Sequence, residues 1–221
     1  MRQIKIAPEE YYHVFNRAVS KQVIFHDTRD YARFLFLILY FQSPLTFPQI
    51  SRITKHFVKS SAFDTLDADK VIEKRTVELI SFCIMPNHFH LILKELDDGG
   101  ISVYMQRILT SYSKYYNAKY VRSGHVFQGP YKAVHISDDQ QLLYLSAYVH
   151  RNPREISKWF NHEDKYPWSS YQDYLEEGRW GRLLLPDIIL MRYKDKKKYK
   201  KFVDTSTAKL IKGELVNLEH L

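Results

Sequence analysis

His88 and His90 stand one residue apart in Pro86-Asn87-His88-Phe89-His90-Leu91-Ile92-Leu93. In a strand, alternate side chains share a face, about 6.6 Å apart from i to i+2. The two imidazoles would then project together, with Phe89, Leu91 and Leu93 turned the other way into a core. Two adjacent imidazoles can close on one divalent cation at roughly 2.0–2.1 Å per bond. The motif is short, and two unrelated histidines on a half-buried strand give the same pattern. Further ligands and a reacting group have to come from elsewhere in the chain.

A second group lies in Leu142-Leu143-Tyr144-Leu145-Ser146-Ala147-Tyr148-Val149-His150-Arg151-Asn152-Pro153. On a helix, Tyr148 and Asn152 share one face, four residues apart. The Asn152 carboxamide oxygen suits a hard cation. The Tyr148 phenol can act as a covalent nucleophile once deprotonated or polarised. Each also has a plain reading. Tyr148 can be a core-edge tyrosine with a hydrogen-bonded hydroxyl, and Asn152 a turn residue before Pro153.

The elements that must hold these groups follow from pattern. Residues 11–18 are rich in aromatic and β-branched side chains and predict a first strand. Asp27 or Thr28 is a suitable N-cap for a helix over about 30–41. Pro44 and Pro48 then break the pattern. Residues 43–76 read as an insertion with a short helix and a loop around Asp64–Asp69. Val77–Met85 and His88–Lys94 predict two antiparallel strands joined by the Pro86-Asn87 turn. A long helix is expected over about 101–120, stopped by Ser123-Gly124. Val126–Ile136 reads as a fourth strand, interrupted at Gly129-Pro130. Ser137-Asp138-Asp139 caps a helix over about 139–151, which ends before Pro153. The order strand, helix, strand, strand, helix, strand, helix fits an α+β fold. It is a ferredoxin-like antiparallel sheet with helices on one face, plus an additional C-terminal helix that carries Tyr148.

Composition narrows the class. The chain has 221 residues, 45% of them hydrophobic, which supports a packed core and argues against wholesale disorder. Its longest apolar run, from Phe34 to Phe41, falls far short of the ~18 residues of a membrane span. Cys83 is the one cysteine, and the opening residues lack the apolar stretch of a secretory signal, so a cytoplasmic location is expected. The net charge of +8 points to a polyanionic partner. Basic residues interleaved with 17 Tyr and 13 Phe suit single-stranded nucleic acid, although many of these rings will line core edges. Residues 192–201 hold seven Lys or Arg and one Asp, which fits either a solvated helix face or an electrostatic arm.

Four segments occur in order and at suitable spacing: Tyr12-His13-Val14-Phe15-Asn16-Arg17, Pro86-Asn87-His88-Phe89-His90, Arg122-Ser123-Gly124-His125-Val126-Phe127-Gln128-Gly129 and Tyr148-Val149-His150-Arg151-Asn152-Pro153. On these the chain resembles the single-tyrosine HUH transposases, most closely their REP-associated tyrosine transposase branch. The resemblance covers about residues 11–175 and implies a transposase domain over 1–175, interrupted at 43–76, with a basic extension over 176–221. It also implies metal ligation by His88, His90 and Asn152 with Mg²⁺ or Mn²⁺, and Tyr148 as nucleophile. Tyr112, Tyr115 and Tyr116 reach only Tyr116, Lys119 and Tyr120 four residues on, so the ligand spacing favours Tyr148. The implied substrate is single-stranded, hairpin-forming DNA, cut and rejoined through a 5′-phosphotyrosine. Phosphate contacts are expected from Arg17, Arg107, Lys114, Lys119, Arg122, Lys132 and Arg151. The resemblance further implies a monomer or homodimer in a bacterial cytoplasm, associated with the nucleoid, with no membrane partner. Two competing readings are a former transposase that binds hairpin DNA without cutting, and a metal-dependent hydrolase in which water attacks.

Overall fold

The structure is a computed structural model that describes residues 5–63 and 68–207. Its strands are β1 (Tyr11–Arg17), β2 (Val77–Met85), β3 (His88–Glu95) and β4 (Lys132–Ile136). They form one sheet in the order β2-β3-β1-β4, and every neighbour is antiparallel. That order, with helices in the β1–β2 and β3–β4 connections, is the ferredoxin-like arrangement the sequence predicts.

Alternation along the strands divides the core in two. One face carries Tyr12, Val14, Phe82, Phe89, Leu91 and Leu93. It packs under α1 (Thr28–Tyr40) and α4 (Gly100–Tyr120). Phe89 is fully buried between Phe34, at 4.9 Å between ring centroids, and Phe127, at 6.0 Å. Each such side chain contributes about 1.5–3 kcal/mol through burial. The other face carries Cys83, Met85, Ile92 and Ile136 and packs against α5 (Asp139–Arg151). The additional helix therefore covers the side of the sheet opposite α1 and α4.

Local chemistry fixes the helix ends. The Asp27 side chain accepts from the Arg29 and Asp30 amides, and Asp30 returns the bond to the Asp27 amide in a capping box. Asp30 is buried and also accepts from the Tyr115 and Tyr120 hydroxyls and the Lys119 ammonium, which ties α4 to α1. At the start of α4, Glu95 accepts from the Ile101 amide. Its other end differs from the expected glycine stop: the cap is Val121, at φ 51° and 94% exposed. A β-branched residue is an uncommon occupant of that region.

The 43–76 insertion contains two helices, α2 (Ile50–Ser60) and α3 (Ala68–Glu73). Phe57 of α2 packs on Phe63, with ring centroids 4.3 Å apart. Most of the loop expected around residues 64–69 lies outside the described residues. The fourth strand is shorter than expected. Gly129 adopts φ 75°, and Pro130 has no N–H to give a ladder, so regular pairing begins only at Lys132. Upstream, the chain keeps a single bridge from Ala18 to Phe127.

The C-terminal segment covers an edge and clamps a helix. β2 is an edge strand, and residues near Trp168 and Ser170 pair with it: the Ile84 amide donates to the Trp168 carbonyl and the Ser170 amide to the Phe82 carbonyl. Covering the edge removes a template for unwanted strand pairing. After α6 (Tyr171–Leu175) and α7 (Asp187–Leu190), α8 (Lys196–Thr205) lies on α5. The basic run thus belongs to an amphipathic helix: Tyr199 and Val203 are buried, and Lys197, Lys198 and Lys201 face solvent. The end of the basic extension, residues 208–221, lies outside the described residues. No helix among the described residues is long and apolar enough to cross a membrane.

Two substitutions test this packing. A Cβ at Gly100 would sit 2.4 Å from the Thr76 carbonyl oxygen, so Gly100→Ala should destabilise the protein by about 1–3 kcal/mol. Tyr199→Phe removes the hydroxyl that lies 2.7 Å from His150 Nδ1 and 3.1 Å from Ser146 Oγ. Leaving those buried groups unpaired should cost about 1–3 kcal/mol. Urea unfolding should show a lower midpoint for each variant with an unchanged slope.

Candidate active site

The β1–β3 register decides which groups meet. Arg17 opposes His88, Phe15 opposes His90 and His13 opposes Ile92. Opposed residues of an antiparallel pair share a face. His13, Phe15, Arg17, His88 and His90 therefore line one side of the sheet, the side that α5 covers. The Pro86-Asn87 turn that sets the start of β3 is itself held. Its Pro86 carbonyl accepts from the Ile24 amide, and its Asn87 carbonyl accepts from the Ala18 amide.

Both histidines are buried and line a cavity of about 370 Å³ together with Phe15, Asn16, Arg17, Lys21, Gln128, Pro130 and Lys132. Arg17, Lys21 and Lys132 make this cavity electropositive. His88 Nδ1–H donates to Asn87 Oδ1 at 2.6 Å, while Asn87 Nδ2 donates to the Lys21 carbonyl at 2.8 Å. The second bond fixes which end of the amide faces His88. A neutral His88 then carries its lone pair on Nε2.

His90 Nδ1 lies 2.9 Å from Nε2 of His13, a buried residue with its pKa lowered to about 3 by desolvation. His13 is therefore a neutral imidazole. Phe15 stacks on His13 at 4.9 Å and on His90 at 5.7 Å between centroids. Tyr148 stands edge-on to both imidazoles, 5.4 Å from His90 and 5.8 Å from His13. The phenol and the histidine pair thus come together within one chain.

Asn152 lies in the 3₁₀ turn, Asn152–Glu155, that directly follows α5. It is buried, and its Nδ2 donates to the Tyr148 carbonyl at 2.9 Å. That bond occupies the amide nitrogen, so the oxygen is the atom with ligand character. Among the described residues, no group of three or more His, Cys, Asp or Glu could hold a metal ion. The ligand set expected from the sequence is a mixed one: His88 and His90 share a face of the sheet, and Asn152 directly follows the helix that carries Tyr148. Two neutral imidazoles and a carboxamide are chemically suited to a divalent cation.

The helix carrying Tyr148 is fastened from behind. His150 is buried, its Nε2 3.1 Å from Ser81 Oγ and 2.9 Å from Ser170 Oγ. Burial lowers its pKa to about 3, so it serves as a neutral packing residue. Arg151 is also buried and donates to the Val203 and Asp204 carbonyls, capping α8.

The basic residues expected at phosphates divide accordingly. Arg17 and Lys132 line the histidine cavity. Lys114 lines a second cavity of about 340 Å³ between α4 and the 124–129 loop. Arg122 is exposed and bonds to Gln22 Oε1. Lys119 is paired with Asp27 and Asp30. Arg107 and Arg151 are engaged by the fold. Arg107 donates to the Ser43 and Leu45 carbonyls and packs over Phe41, and Arg151 caps α8, so both satisfy backbone acceptors.

Sequence reasoning gave no role to His13, Phe15, Lys21 or Gln128. The signal for the first two was the alternation Tyr11, His13, Phe15, Arg17, which becomes readable once β1 is paired with β3.

A comparison with curated protein sequences found no match. A solved structure described as a REP-associated tyrosine transposase bound to a REP hairpin is similar, with a TM-score of 0.51, 14% identity, and coverage of 81% of this chain and 86% of that one. That likeness concerns the fold. The family model described as Transposase IS200 like matches residues 53–152, a span that contains His88, His90, Tyr148 and Asn152. Within that span the two histidines stand on β3 and Tyr148 on α5, and the chain is similar to the IS200-like transposases there.

Proposed function

We propose that this protein is a single-tyrosine HUH transposase of the REP-associated branch, which cleaves and rejoins single-stranded, hairpin-forming DNA. The observation that carries the reading is Tyr148 standing edge-on to His90, 5.4 Å between ring centroids, beside a cavity lined by Arg17, Lys21 and Lys132. The hairpin is assigned by analogy with the similar fold that was solved with one.

His88, His90 and Asn152 would hold Mg²⁺ or Mn²⁺. When bound, the cation supplies Lewis acidity toward a phosphate oxygen. Arg17, Lys21 and Lys132 neutralise the backbone of the entering strand and set its register. Tyr148 Oη gives up its proton and attacks phosphorus, the P–O3′ bond breaks, and the departing 3′ oxygen takes a proton. The products are a 5′-phosphotyrosine and a free 3′-hydroxyl. Attack by a 3′-hydroxyl on that linkage restores a phosphodiester and the phenol. The bond energy is retained in the adduct, so no nucleotide cofactor is needed. Tyr148 lies beside His90 of its own chain, which supports action in cis by one subunit. Chromosomal DNA in a bacterial cytoplasm is the setting such a substrate implies.

The test is a labelled hairpin oligonucleotide incubated with the protein and Mn²⁺. A covalent protein–DNA band on a denaturing gel is expected. It should disappear with chelator and with Tyr148→Phe, which should lower cleavage by at least ~10³-fold. Binding without cleavage would point instead to a DNA-binding module. Cleavage with no covalent band would point to a hydrolase in which water attacks.

A further inference from the structure

We propose that His13 is a positioning residue that accepts the Nδ1 proton of His90 when a cation binds, and so leaves the Nε2 lone pair of His90 to the cation. This rests on reading His88 and His90 as metal ligands. The two imidazoles are nearly coplanar neighbours, with centroids 5.1 Å apart and planes 14° apart, and His13 Nε2 is 2.9 Å from His90 Nδ1.

A hydrogen bond between two imidazole nitrogens 2.9 Å apart holds one proton, which has two places. In the first arrangement His13 Nε2–H donates to His90 Nδ1. His90 then carries its own proton on Nε2 and cannot ligate a metal. In the second, His90 Nδ1–H donates to His13 Nε2, and His90 Nε2 is a ligand. His13 Nδ1 is buried with no hydrogen-bond partner, so neither tautomer of His13 is selected by a bond on its far side. The choice therefore falls to the site itself. Cation binding draws the pair into the second arrangement, because only that one offers a lone pair.

The ring of His13 is held for this task. Phe15 stacks on it from the same strand, Tyr148 meets it edge-on from α5, and only 2% of the residue is exposed. His88 has the same arrangement through a different group, since Asn87 Oδ1 accepts its Nδ1–H. Both histidines thus have an acceptor behind them. For metal-bound histidines such outer partners fix the tautomer and orient the ring.

The test measures Mn²⁺ affinity by electron paramagnetic resonance, with no DNA present. His13→Leu removes the acceptor and should weaken Mn²⁺ binding about 10–100-fold. His13→Gln places an amide oxygen near the position of Nε2 and should recover most of that loss. Far-ultraviolet circular dichroism in chelator checks that each variant is folded. Should His13→Leu fail to fold, the wild type decides the matter by long-range ¹H–¹⁵N spectra of ¹⁵N-histidine protein loaded with Mg²⁺. His90 should be protonated on Nδ1, and His13 on Nδ1 only. A Leu variant with wild-type affinity, a Gln variant no better than Leu, or a proton on Nε2 of His13 in the loaded protein overturns the inference. If the covalent DNA band persists at Tyr148 in any of those cases, the proposed function survives and the role of His13 alone falls. A wild type that binds no Mn²⁺ overturns both.

Discussion

The pairing of β1 with β3 is the constraint from which the rest of the site follows. It sets Arg17 opposite His88 and Phe15 opposite His90, and it brings His13 within hydrogen-bonding distance of His90. A slip of one residue would turn both histidines into the aromatic core and Phe89 and Leu91 toward α5 and the polar cavity. That alternative is strongly disfavoured, because Tyr12, Val14, Phe89, Leu91 and Leu93 are all buried on the opposite face under α1 and α4. The apolar side of the sheet thus pins the register, and the polar side inherits its geometry. Stability and site assembly come from the same strand pair.

The second requirement is that α5 be held over that face. Its underside packs through Leu145 and Val149, and its back is tied by α8. Tyr199 bonds to His150 and Ser146, while Arg151 holds the last carbonyls of α8. These buried polar links act in a setting of low dielectric, where a missing partner is costly. Tyr148 is thereby carried on a helix held from behind, and the C-terminal helices supply that support. The lysine-rich run is part of that support, with its charges on the solvent side.

Much of this was legible in the sequence because local signals and tertiary packing agreed. Period-two alternation around Phe89 gave β3, and the Pro86-Asn87 turn gave the β2–β3 hairpin. Asp138 and Pro153 bounded α5, and the strand and helix patterns put His90 and Tyr148 on the elements where they meet. The failures share a cause. Arg107 and Arg151 look like surface charge until their carbonyl partners come from distant segments. Tyr199 and Val203, four residues apart, are masked by the lysines around them. The fourth strand was overextended because Phe127 keeps a bridge while Gly129 and Pro130 end the ladder. His13 carried no local mark of its contact with His90, since that partner lies 77 residues away.

The proposed function requires one convergence: two strand imidazoles and a carboxamide closing on a cation, within reach of the phenol on α5. A crystal of the protein soaked in Mn²⁺, with anomalous data collected at the manganese edge, examines it directly. The expected result is one strong peak bonded to Nε2 of His88, Nε2 of His90 and Oδ1 of Asn152, on the side of the sheet that Tyr148 covers. A peak bound elsewhere, or one that leaves either imidazole uncoordinated, would contradict it.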